Sequence, residues 1–241
     1  MSEIIKKILI KISRVIYYLT PIEFKNYIKK KDNESGFYNF YSNKAMLECF
    51  DYFEKYFNNS LHLDNINIRK YAIEQSLLND KEKQKFYLEF GVWKGSSANF
   101  FVQYLDKLYA FDSFEGLKED WVGTEATKNH FNLNKRIPKL NKKIEPIVGF
   151  IQDTLIEFLK KNNPEINFVH FDMDTYASTK YALEKIKPYL SKGAIIIFDE
   201  LYNFPGWRQG EFKALQETFD ETEYTYKAFA KNSGKVVIQL K

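Results

Sequence analysis

A chain of 241 residues, 44% hydrophobic and 28% charged, carries enough apolar side chains for one large domain with a full core, or such a domain with a smaller appendage, which excludes a disordered polymer. Its net charge of +4 comes from lysines interleaved with acids rather than from one basic face, so a nucleic-acid surface is not indicated. The single cysteine, Cys49, rules out an internal disulfide and reads as a small buried hydrophobe.

In chain order, residues 4–19 place Ile4, Ile8, Ile12, Val15, Ile16 and Leu19 on one helical face, while Lys6, Lys7, Lys11 and Arg14 interrupt the apolar run. The segment is too charged to span a membrane, and no long apolar region with a small-residue cleavage site follows, so a cytoplasmic protein is expected. Two readings stand for this helix: packing on its own domain or on a second subunit, or lying on a membrane surface. The stretches "NKAMLECFDYFEKYF" and "NINIRKYAIEQSLLND" have helical periodicity, and no strand is expected before about residue 80. Residues 1–80 therefore read as a helical extension that shapes a substrate pocket or a dimer, and residues 81–241 as the main domain.

From Phe86 onward short apolar runs alternate with helical segments: "FYLEFGV", "KLYAFDSF", "IEPIVG", "INFVHFDMD", "GAIIIFDE" and "KVVIQL", with a polar insertion at residues 121–138. Such alternation predicts a mostly parallel sheet with helices on both faces. In an open sheet of this kind the ligand site lies beyond the carboxyl ends of the strands. Four of the first five strands end in an acid, and clustered carboxylates are costly to bury without a cation, so these ends point to a polar ligand, a metal, or both.

The first strand end, "EFGVWKGSS", makes a tight turn into a helix through Gly91 and Gly95, with Ser96 and Ser97 opening the helix. It is not the dinucleotide fingerprint: the spacing is G-x-x-x-G, and Glu89 before the first glycine would repel a pyrophosphate while attracting an amino or sulfonium group. Asp112, about twenty residues on at the end of the next strand, suits a ribose diol. In "FVHFDMDTYAST", His170, Asp172 and Asp174 share one parity, so both carboxylates lie on one face of a strand end and each raises the pKa of the other unless positive charge intervenes.

Taken together and in order, "EFGVWKGSS", "AFDSFEGL", "GFIQDTL", "VHFDMDTYAST" and "IIIFDELYNFPGW" resemble the class I S-adenosylmethionine-dependent methyltransferases, and specifically the macrocin O-methyltransferase family of sugar O-methyltransferases. The resemblance covers residues 86–240. It implies an α/β fold with a seven-stranded, Rossmann-like, mostly parallel sheet and helices on both faces. It implies S-adenosylmethionine, with S-adenosylhomocysteine as product, together with Mg²⁺, a sugar or sugar-nucleotide acceptor, and a homodimer or higher oligomer. Carried onto this chain, Glu89, Gly91 and Ser96 would hold the methionine part, Asp112 and Ser113 the ribose, and Asp153 would lie near the adenine. Asp172, Asp199 and Glu200 would hold the metal, and Asp174 would be the base. The last strand ends Asp199-Glu200 where the antibiotic-sugar members usually have two aspartates, which changes the ligand geometry at Glu200. Tyr176, Tyr202 and Trp207 are candidates to stack on a sugar or base, and Arg208 to pair with a phosphate. His170, deeper in its strand, reads as a satisfied core histidine.

Overall fold

The computed structural model describes residues 36–241 and, before them, residues 5, 9, 11, 12 and 18–22. The amphipathic face expected over residues 4–19 therefore lies largely outside the described residues. The chain divides into two units, residues 1–44 and residues 45–241, and helix α1 (Phe37–Phe57) runs from the first into the second.

Within the second unit, eight strands form one sheet: β1 (Leu61–Leu63), β2 (Phe86–Phe90), β3 (Leu108–Asp112), β4 (Ile144–Val148), β5 (Ile166–Phe171), β6 (Leu190–Phe198), β7 (Tyr224–Ala230) and β8 (Val236–Leu240), in the order β1-β7-β8-β6-β5-β2-β3-β4. Every pairing is parallel except those of β8 with β6 and β7. The connecting helices are α2 (Asn65–Leu78), α3 (Ser96–Phe101), α4 (Ile151–Asn162), α5 (Tyr176–Ile186) and α6 (Glu211–Thr218).

Each element has a local cause. Asp64 caps α2 by accepting from the Ile66 and Asn67 amides at 3.0 and 2.8 Å. All six residues of β5 are buried, as a strand covered on both faces requires. β4 carries Pro146 and lies at the sheet edge, where a missing amide donor is tolerated. Strand alternation sends Leu88, Phe90, Val169 and Phe171 to one core with α4, α5 and α6, and Tyr87, Phe168, Ile195 and Ile197 to another with α2 and α3. Glu89 and His170 share the second face, buried among apolar neighbours.

Two expectations change. β1 lies where no strand is anticipated: three residues are too short to show alternation, and pairing with β7 places it on the sheet edge. The units divide at residue 44 rather than near 80, so β1 and α2 lie in the same unit as the sheet. Cys49 is buried, as expected.

Candidate active site

The order of strand addition reverses at β2, with β3 and β4 on one side and β5 and β6 on the other, and the crevice beyond the carboxyl ends opens there. It holds a cavity of about 370 Å³ lined by, among others, Gly91, Ser96, Asp112, Ser113, Asp172, Asp174, Asp199 and Glu200.

One wall is built from the first two strand ends. Gly91 has φ +89, and a Cβ there would lie 1.7 Å from the Asp172 carbonyl oxygen, so only glycine lets β2 run this close to β5. Asp112 accepts from the Val92 and Trp93 amides at 2.8 and 2.7 Å through one oxygen and from the Phe114 amide at 2.7 Å through the other. Its carboxylate thus ties the turn after β2 to the end of β3. Ser113, buried beside it, accepts from the Glu115 amide. Gly149, Phe150, Ile151 and Gln152 continue the lining at the start of α4, whereas Asp153 is exposed and not part of the lining.

Glu89 does not reach the cavity lining. Its side chain is fully buried and its Oε1 lies 2.8 Å from His170 Nδ1. His170 Nε2 lies 3.3 Å from Asp199 Oδ1. Burial pulls the imidazole pKa down, but hydrogen bonds to Asp199 and Glu89 outweigh it and lift it to about 9. His170 is thus a satisfied core histidine, as expected, with an acid on each ring nitrogen.

Two cations complete this buried network. Arg69 of α2 donates to Asp199 Oδ1 at 3.1 Å, and Lys235 donates to Oδ2 at 2.8 Å. Burial raises the Asp199 pKa, but His170, Lys235 and Arg69 overcome it and hold the carboxyl well below the usual range. Both oxygens of Asp199 are thus engaged by protein cations, and its carboxylate also lines the cavity.

The other carboxylates stand differently. Asp172, Asp174 and Glu200 each offer an oxygen within 4.8 Å of the other two. Among the described residues no cationic side chain forms an ion pair with any of them, and Glu200 Oε2 is buried without a partner. Burial, then the charge of Asp199, lifts Asp172 to about 7. Burial and neighbouring acids raise Asp174 and Glu200 well above the ordinary carboxylate range. Asp174 also sits at φ +61, a left-handed conformation that aspartate adopts at a cost and that recurs at functional sites. Hard oxygen donors, an orphaned carboxylate oxygen and uncompensated negative charge fit a divalent cation such as Mg²⁺. His170, Asp172 and Asp199 also approach one another, but both imidazole nitrogens already face carboxylates.

The insertion lines the cavity with Trp121 and Phe131. It meets the loop after β6 at two glycines: a Cβ on Gly123 would lie 2.4 Å from Gly206 Cα, and one on Gly206 would lie 1.9 Å from the Val122 carbonyl oxygen. The four residues expected at the substrate are not in the cavity lining. The Tyr176 hydroxyl donates to Glu217 at 2.6 Å, Tyr202 is buried with its hydroxyl on the Ala230 carbonyl, and Trp207 is buried with its indole N–H on the Ala45 carbonyl at 3.2 Å. Arg208 lies over the Trp207 ring and pairs with Glu48 at 3.6 Å. Aromatic composition alone does not separate a stacking platform from the packing of a loop on its helix.

Residues 88–201 match a family described as a methyltransferase domain. A curated protein of Streptomyces olivaceus, 8-demethyl-8-(2,3-dimethoxy-alpha-L-rhamnosyl)-tetracenomycin-C 4'-O-methyltransferase, is 26% identical over 137 residues, 47% of this chain and 51% of that protein. The chain thus spans about half the length of this curated relative. Among solved structures, a calicheamicin methyltransferase superposes with a TM-score of 0.61 at 22% identity, covering 73% of this chain and 78% of that one. The O-methyltransferase NovP superposes with a TM-score of 0.54 at 17% identity, covering 73% and 79%. The fold is that of the class I, Rossmann-like methyltransferases, with one strand added at the edge and a helical extension before the sheet. The matched methyltransferase domain, residues 88–201, lies within this fold.

Proposed function

We propose that this chain transfers a methyl group from S-adenosylmethionine to a hydroxyl of a sugar, carried on a nucleotide or glycan, with Mg²⁺ as cofactor. The observation that carries this reading is one cavity with two unlike walls: the Gly91, Ser96 and Asp112 turn on one side, and the Asp172, Asp174 and Glu200 carboxylates on the other. The tetracenomycin relative is named for methylating a rhamnosyl group, and an apo form of the calicheamicin enzyme is described as a TDP-rhamnose 3'-O-methyltransferase, which favours a deoxysugar acceptor.

When bound, S-adenosylmethionine supplies an electrophilic methyl group, and Mg²⁺ makes a coordinated hydroxyl more acidic. The chain does the rest. Asp112, held by three backbone amides, presents a fixed acceptor toward a ribose diol, beside Ser113. Gly91 and Ser96 allow the ligand to approach the backbone. Asp172 and Glu200 would hold the metal, and Asp174, in the same cluster and with a raised pKa, takes the proton of the acceptor hydroxyl. Asp199 holds Arg69 and Lys235 in place below them. Trp121 and Phe131 of the insertion supply an apolar part of the cavity wall.

A homodimer in the cytoplasm acting on a small molecule, without nucleic acid and without contact of the N-terminal helix with a membrane surface, completes the reading. Among the described residues no helix is long and apolar enough to cross a membrane. The test is incubation with S-adenosylmethionine and a panel of nucleotide deoxysugars, with Mg²⁺ or with chelator, read by mass spectrometry. A methyl increment on a sugar that chelator abolishes supports the proposal. An increment undiminished by chelator removes the metal from it, and no increment on any sugar removes the acceptor class.

A further inference from the structure

Glu211 is the one acid of the cluster with no part in the chemistry so far. It opens α6, is fully buried, and its Oε2 accepts from the Glu200 backbone amide at 2.9 Å, while its Oε1 has no partner. A buried carboxyl among four other acids is costly, and an apolar residue would suit the start of this helix better if packing were its only task. The bond it makes is specific: it spans the loop 201–210 and fixes the backbone of the residue whose side chain enters the cluster. The preceding residue, Gly210, passes close to the backbone of a second member. A Cβ on Gly210 would lie 3.3 Å from the carbonyl oxygen of Asp174, the residue held at φ +61. One turn of chain is therefore bonded to Glu200 and runs close beside Asp174.

We infer that Glu211 is a positioning residue, which holds the Glu200 backbone so that the oxygens of Asp172, Asp174 and Glu200 converge on a divalent cation. The inference rests on the metal reading proposed above. Partners behind a metal ligand that orient it are commonly worth tenfold to a hundredfold in affinity. Glutamine at this position retains an oxygen that accepts the Glu200 amide; alanine does not.

The test is a titration of Mn²⁺, followed by electron paramagnetic resonance, into wild type, Glu211→Gln and Glu211→Ala without substrate, with S-adenosylhomocysteine affinity measured in parallel as the check on folding. Glu211→Ala is expected to bind Mn²⁺ at least about tenfold more weakly with little change toward S-adenosylhomocysteine, and Glu211→Gln to stay within about threefold of wild type. Mn²⁺ affinity of Glu211→Ala equal to wild type overturns the inference, and so does a glutamine variant as weak as the alanine one. If alanine also removes S-adenosylhomocysteine binding, the fold has been damaged and the glutamine variant decides. A wild-type protein that binds no Mn²⁺ overturns the metal reading itself, a result distinct from either.

Discussion

Lys235 Nζ lies 2.8 Å from Asp199 Oδ2, with both side chains more than nine-tenths buried, one strand away from the His170 bridge. The pair closes a chain of alternating charge from Glu89 through His170 to Asp199 and on to Lys235 and Arg69. Replacing Lys235 by Met leaves the largely buried Asp199 carboxylate with less compensation. The expected loss is about 3 kcal/mol of stability, at the low end for a broken buried pair because Arg69 and His170 remain. Urea unfolding of the two proteins measures it, and equal midpoints would show that Lys235 contributes nothing.

The same network makes stability depend on pH with a definite sign. The His170 pKa is raised from 6.5 to about 9 in the folded state, so its contribution is fully present below 6.5 and is lost as pH rises through about 9. Wild type is expected to lose more stability than His170→Gln between pH 6.5 and 9, measured by urea midpoints at each pH. Parallel profiles would mean that His170 is neutral throughout.

Metal binding should carry the opposite dependence. Asp172 is lifted to about 7, by burial first and then by Asp199, and a cation must displace its proton. Mg²⁺ affinity is expected to rise as pH goes from 6 to 8, read from competition with Mn²⁺. A flat profile over that range removes Asp172 from the ligands.

Gly91→Ala places a methyl group 1.7 Å from the Asp172 carbonyl oxygen at a backbone angle that L residues rarely adopt. The cost is expected to be on the order of 4 kcal/mol or more, with loss of S-adenosylhomocysteine binding. Calorimetry and thermal unfolding check it, and a variant that binds normally would show that β2 and β5 separate easily.

Asp174→Asn keeps the shape of the side chain but cannot take a proton. Turnover should fall on the order of a hundredfold, and excess Mg²⁺ should not restore it. Asp172→Asn should instead weaken metal binding and recover in part at high Mg²⁺. Recovery of the Asp174 variant by metal would make it a ligand and leave the base to be found elsewhere.

How much of this was legible depends on how each residue announces itself. The strand-end positions of Asp112, Asp172, Asp199 and Glu200 are readable because apolar runs mark where each strand stops, and the crevice rule then brings the ends together. Arg69 and Lys235 are not, since each is one lysine or arginine among 36, and the partner that distinguishes them lies 130 or 36 residues away. Glu211 looks like an ordinary acid in the first turn of a helix until the Glu200 amide is seen on it. His170 shows its parity in the sequence but not the two acids that charge it. Tyr202 and Trp207 mislead for the opposite reason: their rings are conspicuous, and the core takes them.

The contact of Gly123 with Gly206 bears on how such a protein can be re-engineered. At these glycines the insertion and the loop after β6 press backbone to backbone, and nearby Trp121 meets Phe204 edge to face, so a change of path in one displaces the other. A chimera that borrows only one of these loops from a relative would bring two unmatched surfaces together at this contact. The transferable unit is the pair, exchanged in one step with its glycines facing.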